Sequence, residues 1–237
     1  MNAELRWAIV SLLLISVAGA QQSGITPPTC PALIRTIADC PSPGCGGVCD
    51  AFLNLSKNRI DAPSGGVPRS INVRQLKQIL QPPAWKTGND RATLRGPEGT
   101  PVQLMGFLKL AKSEGAESCN CDLVSAADTE VHLVIVERLS DPEVSSVTAE
   151  ITPRVRAAGH SDWTASHISR LERRFLRLSG WLMLDTAHLP RPVLLRGEPP
   201  RPPLKRATNW EIHPVMKLEV CTGTVAQSQA GQSWSDI

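Results

Sequence analysis

The 237-residue chain has no tyrosine and three phenylalanines beside six tryptophans. Binding single-stranded nucleic acid needs aromatic faces in series, so this shortage argues against it. After residue 20 there is no apolar run approaching the roughly 20 residues that cross a bilayer. Gly-x-Ser-x-Gly and His-Glu-x-x-His are both missing, and no phosphate-cradling glycine loop leads into a helix, so the common hydrolase and nucleotide signatures are excluded. Neither sign of charge dominates: 25 Lys and Arg against 22 Asp and Glu leave +3, too little to indicate a polyanionic partner.

What is present begins with "MNAELRWAIVSLLLISVAGA". An early cation (Arg6), an apolar stretch from Ala8 to Val17 and a small-residue end, Ala18-Gly19-Ala20, read as a secretory signal peptide over residues 1–20. The expected location is therefore secreted or periplasmic, with no transmembrane segment after cleavage. All seven cysteines (Cys30, Cys40, Cys45, Cys49, Cys119, Cys121 and Cys221) follow this segment. In an oxidising compartment such cysteines favour disulfides over zinc thiolates. The spacing predicts local pairing among Cys30, Cys40, Cys45 and Cys49, a bridge from Cys119 or Cys121 to Cys221, and one leftover thiol. Zinc ligation through the C-x-C and C-x3-C spacings is the alternative.

Two zones follow. Residues 21–100 are broken by proline and glycine and read as an irregular, disulfide-tied arm, with short helical candidates at 32–38 and 73–80, the second capped by Asn72. The triplet Lys57-Asn58-Arg59 reads as solvated surface, and Asn54-Leu55-Ser56 matches a glycosylation sequon. Residues 101–222 are regular. Strand patterns occupy 101–111, 130–139, 146–155, 176–185 and 208–220, and Ser161 opens a helix carrying Trp163, His167, Leu171 and Phe175 on one face. Three strands, one helix and two strands are the order of an OB-fold, so the predicted class is mostly β, a five-stranded OB-like barrel (β-β-β-α-β-β). Residues 223–237 read as a flexible tail.

The chemistry concentrates in a repeated phrase. Glu150-Ile151-Thr152-Pro153 and Glu211-Ile212-His213-Pro214 lie on the third and fifth predicted strands, which are parallel neighbours in an OB-fold. Alternation then puts Glu150, Glu211 and His213 on one side of adjacent strands. Each proline, lacking an N–H, is expected at a bulge or barrel rim. His132 starts the second strand, and Asp185 and His188 follow the fourth.

Three readings remain open for this cluster. The carboxylates are rim residues paired with His213, Arg154 or Arg156 that fix strand register. Alternatively, Glu150, Glu211, His213 and Asp185 bind a ligand without metal. In the third, a divalent metal, zinc or manganese, is held by a set drawn from His132, His188, His213 and Glu150 together with Asp185 and Glu211, as in a metal-dependent hydrolase.

The stretches "DTEVHLVIVE", "TAEITPR", "LSGWLMLDTAH" and "NWEIHPVMKLEV" together resemble a group of exported bacterial proteins of no assigned activity. That pattern runs Asp-x-His-hydrophobic, Glu-Ile/Val-x-Pro, Gly-hydrophobic-Asp-x-x-His and Glu-hydrophobic-His-Pro-Val. The resemblance covers about residues 102–220 and implies the barrel without implying a reaction.

Charge placement narrows the partner. Between residues 113 and 150 nine acidic residues face Arg138 alone, whereas the loop 189–206 carries Arg191, Arg196, Arg201, Lys205 and Arg206 against Glu198. The acidic stretch includes the loop with which nucleic-acid-binding OB-folds clamp phosphate, so nucleic acid is an unfavoured partner. The expected function is a non-catalytic binding or interaction module for an unknown ligand or envelope partner, with a metal-dependent hydrolase and a purely structural envelope protein as alternatives.

Overall fold

The computed structural model describes residues 29–46, 48–61, 68–80, 91, 97–186 and 205–237, with backbone only at 48–50. The predicted signal peptide, His188 and most of the basic loop lie outside the described residues.

Among the described residues seven strands and five short helices follow one another: α1 (Val48–Lys57), β1 (Arg69–Asn72), α2 (Val73–Lys77), β2 (Pro101–Ser113), β3 (Val131–Val136), β4 (Val147–Ile151), α3 (Pro153–Ala157), α4 (Ala165–Ile168), β5 (Phe175–Leu184), β6 (Trp210–Cys221), α5 (Val225–Gln229) and β7 (Trp234–Asp236). Pairing runs β2-β3-β4-β6-β5, and β5 returns to β2, closing a five-stranded barrel in the expected OB-like order. Closure removes the sheet edges that would otherwise need covering. β4 and β6 are the one parallel pair within the barrel, with Thr148 beside Glu211 and Ala149 beside Ile212.

Alternation explains the core. Leu104, Leu133, Ile135, Val147, Ala149, Ile151, Leu178, Trp210 and Ile212 point inward and are buried together. α2 adds Val73 and Leu76, and the α4 region adds Trp163 and Ile168. Burying each large side chain is worth about 1.5–3 kcal/mol. α2 forms where Asn72 accepts a hydrogen bond from the Gln75 N–H and Gln75 reciprocates, the predicted cap completed as a capping box.

The prolines behave as their missing N–H requires. Pro153 ends β4 and starts α3 at its first position, with Thr152 capping. Pro214 lies inside β6 after a cis bond, where the β5–β6 register shifts between Gly180 and Leu182. A Cβ on Gly180 would collide with the Pro214 carbonyl oxygen and lie 2.8 Å from Ile212 Cγ2. The bulge therefore requires glycine opposite it.

Four expectations change. The helix at 161–175 is shorter: Thr164, not Ser161, caps α4, which ends at Ile168 before a 3-10 turn over 169–171. Phe175 opens β5 instead of sharing a helix face. The region 32–38 is irregular and enters a turn only at 37–39, whereas α1 is a ten-residue helix in what reads as an irregular arm. The C-terminal segment is no flexible tail, because β7 pairs with β6 and the Ile237 carbonyl accepts from the Trp163 indole at 3.1 Å.

The cysteines also pair differently. Cys30–Cys45 is local, as expected, but Cys40 bonds Cys121 across 81 positions and ties the arm to the barrel. Cys119 and Cys221 are buried free thiols, and the Cys49 side chain lies outside the described atoms. Cys221 stays unpaired because the α5 turn covers it, with Ser228 Oγ 2.6 Å from its sulfur. Asn54 is likewise enclosed, donating to the Pro43 carbonyl at 2.9 Å, so the sequon is closed to glycosylation in the folded chain. Replacing Cys40 and Cys121 together by serine is expected to cost about 2–5 kcal/mol in denaturant unfolding. An unchanged midpoint would show that the arm is held without this bridge.

Candidate functional site

The outer face of β4 and β6 is not a rim. Thr148, Glu150, Glu211 and His213 alternate with the core residues as predicted, yet all are buried. The cover comes from α1, the 3-10 turn Ser118–Asn120 and the segment entering β6. Asn58 on the arm donates to the Cys119 carbonyl at 2.8 Å, and Arg154 donates to the carbonyls of Cys40 and Pro41 at 2.7 and 2.9 Å. Arg59 stacks on Trp181 with its guanidinium carbon 3.4 Å from the ring centroid. The triplet expected to be solvated is thus packed against the barrel.

Beneath it runs a line of alternating charges. Lys57 Nζ lies 2.5 Å from Glu117 Oε2 and 3.2 Å from Glu130 Oε2. Glu130 Oε1 is 3.3 Å from His213 Nε2, and on the other side of the ring Nδ1 is 2.9 Å from Glu150 Oε2 and 3.3 Å from Glu211 Oε1. Two branches lead outward. Glu150 Oε1 meets His132 Nδ1 at 3.1 Å, and that nitrogen also lies 3.0 Å from Glu114. Glu211 pairs with Arg206 at 2.7 Å, and Arg206 in turn holds Asp185.

The strands place these groups by simple register. Glu150 faces His132 across β3–β4, and two residues after the Thr148–Glu211 match Glu150 comes level with His213. Glu130 precedes His132 by two positions and so shares its face. Arg156 fixes this end by donating to the carbonyls of Ala126, Ala127 and Thr129. Arg154 and Arg156 therefore bind backbone, not the carboxylates that the rim reading assigned to them.

Burial and charge compete at every member. Burial alone would lower the Lys57 pKa, but Glu130 and the other acids hold it well above the ordinary lysine value. Burial likewise opposes the charge on His213, and Glu130, Glu150 and Glu211 outweigh it and hold the imidazole well above 6.5. Burial pushes Glu130 up to about 8 in spite of Lys57 and His213, whereas His132 and His213 hold Glu150 well below 4.5 against the same burial. His132, also opposed by burial, is raised to about 9 by Glu114 and Glu150. Burial keeps the Cys119 thiol protonated, so it is no nucleophile.

A cleft of about 320 Å³ opens at the outer end of the line, with His132, Glu150, Asp185 and Arg206 among its lining and Lys112, Glu143 and Lys205 at its walls. Of the sequence-predicted residues, His132, Glu150 and Asp185 line the cleft, Glu211 and His213 lie buried behind it, and His188 lies outside the described residues. Sequence reading missed Lys57, Glu117, Cys119, Glu130 and the role of Arg206. The signal for Glu130 was present in its spacing from His132. Lys57 had none, because only the arm's path brings it to the barrel.

Among the described residues two groupings have metal-ligand spacing, Glu130 with Glu150 and His213, and Glu117 with Cys119 and Glu130. Lys57 already supplies a cation to the second. None of the described helices is long and apolar enough to cross a membrane.

Two outcomes follow from the charge line. Lys57→Met leaves Glu117 and Glu130 without their cation and is expected to cost about 3–5 kcal/mol in urea unfolding, where a loss below about 1 kcal/mol would contradict a buried pairing. The pH dependence has a definite sign. His132 binds its proton more tightly when folded, so its contribution is complete below about 6.5 and is lost as pH rises through about 9. Glu130 acts in the same direction: unfolding releases its proton from about 4.5 upward while the folded chain keeps it to about 8. Stability should fall by on the order of 2 kcal/mol or more between about pH 6.5 and 9, and His132→Gln should flatten the fall. A level profile in the wild type would refute the assignment.

Comparison with known proteins adds little to this geometry. No family model matches the chain, and no curated protein does. Among solved structures it is similar to a chain assigned as an aspartyl-tRNA synthetase from Leishmania major Friedlin, at 10% identity and a TM-score of 0.32. The alignment covers 70% of this chain and spans 23% of that one. A likeness of that size carries no functional argument.

Proposed function

We propose that this protein is an exported, non-catalytic binding module that takes a small charged ligand into the cleft over His132, Glu150, Asp185 and Arg206. The carrying observation is that Glu117, His132, Glu150, Asp185 and Arg206 of the buried charge line all reach that one cleft. Its members are held in place from below, as a recognition site requires, because each exposed group is braced by a buried partner. Export is supported by the signal-like first twenty residues and by two disulfides. The likeness to exported bacterial proteins agrees with that location.

Carboxylates outnumber cations around the cleft, and Lys112 and Arg206 are already paired with Glu114 and with Asp185 and Glu211. A ligand with at least one cationic group fits this balance, and a polyanion does not. A hydrolase is disfavoured because His213 and Glu130 are fully enclosed, so a metal held by them would not reach a substrate.

Thermal-shift and calorimetric screening of small amines, zwitterions and anions tests the reading. Amines or zwitterions should bind, and Asp185→Asn should weaken them about tenfold or more while the fold is kept, about 1.4 kcal/mol. Turnover of any substrate that vanishes in Glu211→Ala would replace the binding reading with an enzymatic one.

A further inference from the structure

We propose that Glu130, Glu150 and His213 hold a divalent cation of the zinc or manganese class beneath the arm, as an internal staple between β3, β4 and β6. The site is independent of what occupies the cleft, and it stands or falls separately from the binding reading.

The first observation is the donor set. One ligand atom from each of the three residues lies within 4.8 Å of the others, and one imidazole with two carboxylates suits these ions. The second is an accounting failure. His213 is 0% exposed, and carboxylate oxygens stand 2.9–3.3 Å from its ring nitrogens, yet neither nitrogen makes a well-directed hydrogen bond. Glu130 Oε2 is unsatisfied in the same sense, although Lys57 lies within ion-pair range. Buried polar atoms are almost always satisfied, so three at one place need an explanation. A single ion takes one of the two ring nitrogens together with carboxylate oxygens of Glu130 and Glu150, and the other nitrogen is left to donate to the carboxylate on its own side.

The neighbouring trio Glu117, Cys119 and Glu130 is a weaker candidate, because the Lys57 ammonium lies against both of its carboxylates.

The test uses the full chain, purified oxidised without chelator and analysed for metal by mass spectrometry. It is then stripped with chelator under mild denaturant, refolded and titrated with zinc, manganese and cobalt chlorides. The expected result is an equimolar ion in the wild type, re-uptake after stripping, and at least tenfold weaker uptake in Glu150→Gln and His213→Gln but not in Glu114→Gln. Should those two variants fail to fold, the cobalt-loaded wild type decides. Visible d–d bands without a thiolate charge-transfer band support the nitrogen–oxygen set, and a thiolate band overturns it by placing the ion on Cys119. Folded wild type that contains no metal and takes up none also overturns the proposal. Loss of ligand binding in the cleft with metal retained would count against the cleft reading alone.

Discussion

Removing a carboxylate from water costs several kcal/mol unless a counter-charge goes with it. In this molecule that constraint acts on Glu130, Glu150 and Glu211 at once, because the arm closes over the barrel face on which they stand. Lys57, His213 and Arg206 are the groups that make closure tolerable. They come from three separate places: the end of α1, the middle of β6 and the strand's approach. The arm cannot be displaced without exposing or unpairing them, and the Cys40–Cys121 bridge limits how far it could move.

The barrel thus has two interiors. The usual one is apolar and set by period-two alternation. The other, on the outer face of β4 and β6, is polar and exists only because a disulfide-tied segment covers it. Replacing a buried ion pair with apolar residues of similar volume is often neutral or stabilising. A line of this length is therefore poorly accounted for by stability alone. Its opening into a mixed-charge cleft supplies a purpose that packing does not.

Much of the barrel was legible in the sequence because its strands obey local rules. The strand pattern fixes five elements and their order, Asn72 caps α2 as its position implies, and the Glu-Ile-x-Pro repeat puts Glu150, Glu211 and His213 on one side of neighbouring strands, although the two phrases are offset by two residues so that Glu150 is level with His213. What was illegible depended on long-range placement. Alternation shows that Glu211 and His213 oppose the core, but not that a helix 150 positions earlier buries them. The same reason explains why Lys57 reads as surface and why a bridge from Cys119 or Cys121 to Cys221 is expected where Cys121 in fact bonds Cys40. The helix after β4 was overextended because Trp163, His167, Leu171 and Phe175 keep a four-residue spacing although the chain has already turned into β5.

The central claim is that His213 sits in a sealed polar interior, and nitrogen-15 NMR of its ring tests this most directly. An imidazole enclosed by three carboxylates, or bound to a cation there, should keep one spectrum through the range of about pH 5 to 8 in which an ordinary histidine titrates. Its ring should also be screened from solvent exchange. A His213 resonance that titrates near the usual 6.5 and exchanges freely would place the ring in water and contradict the account.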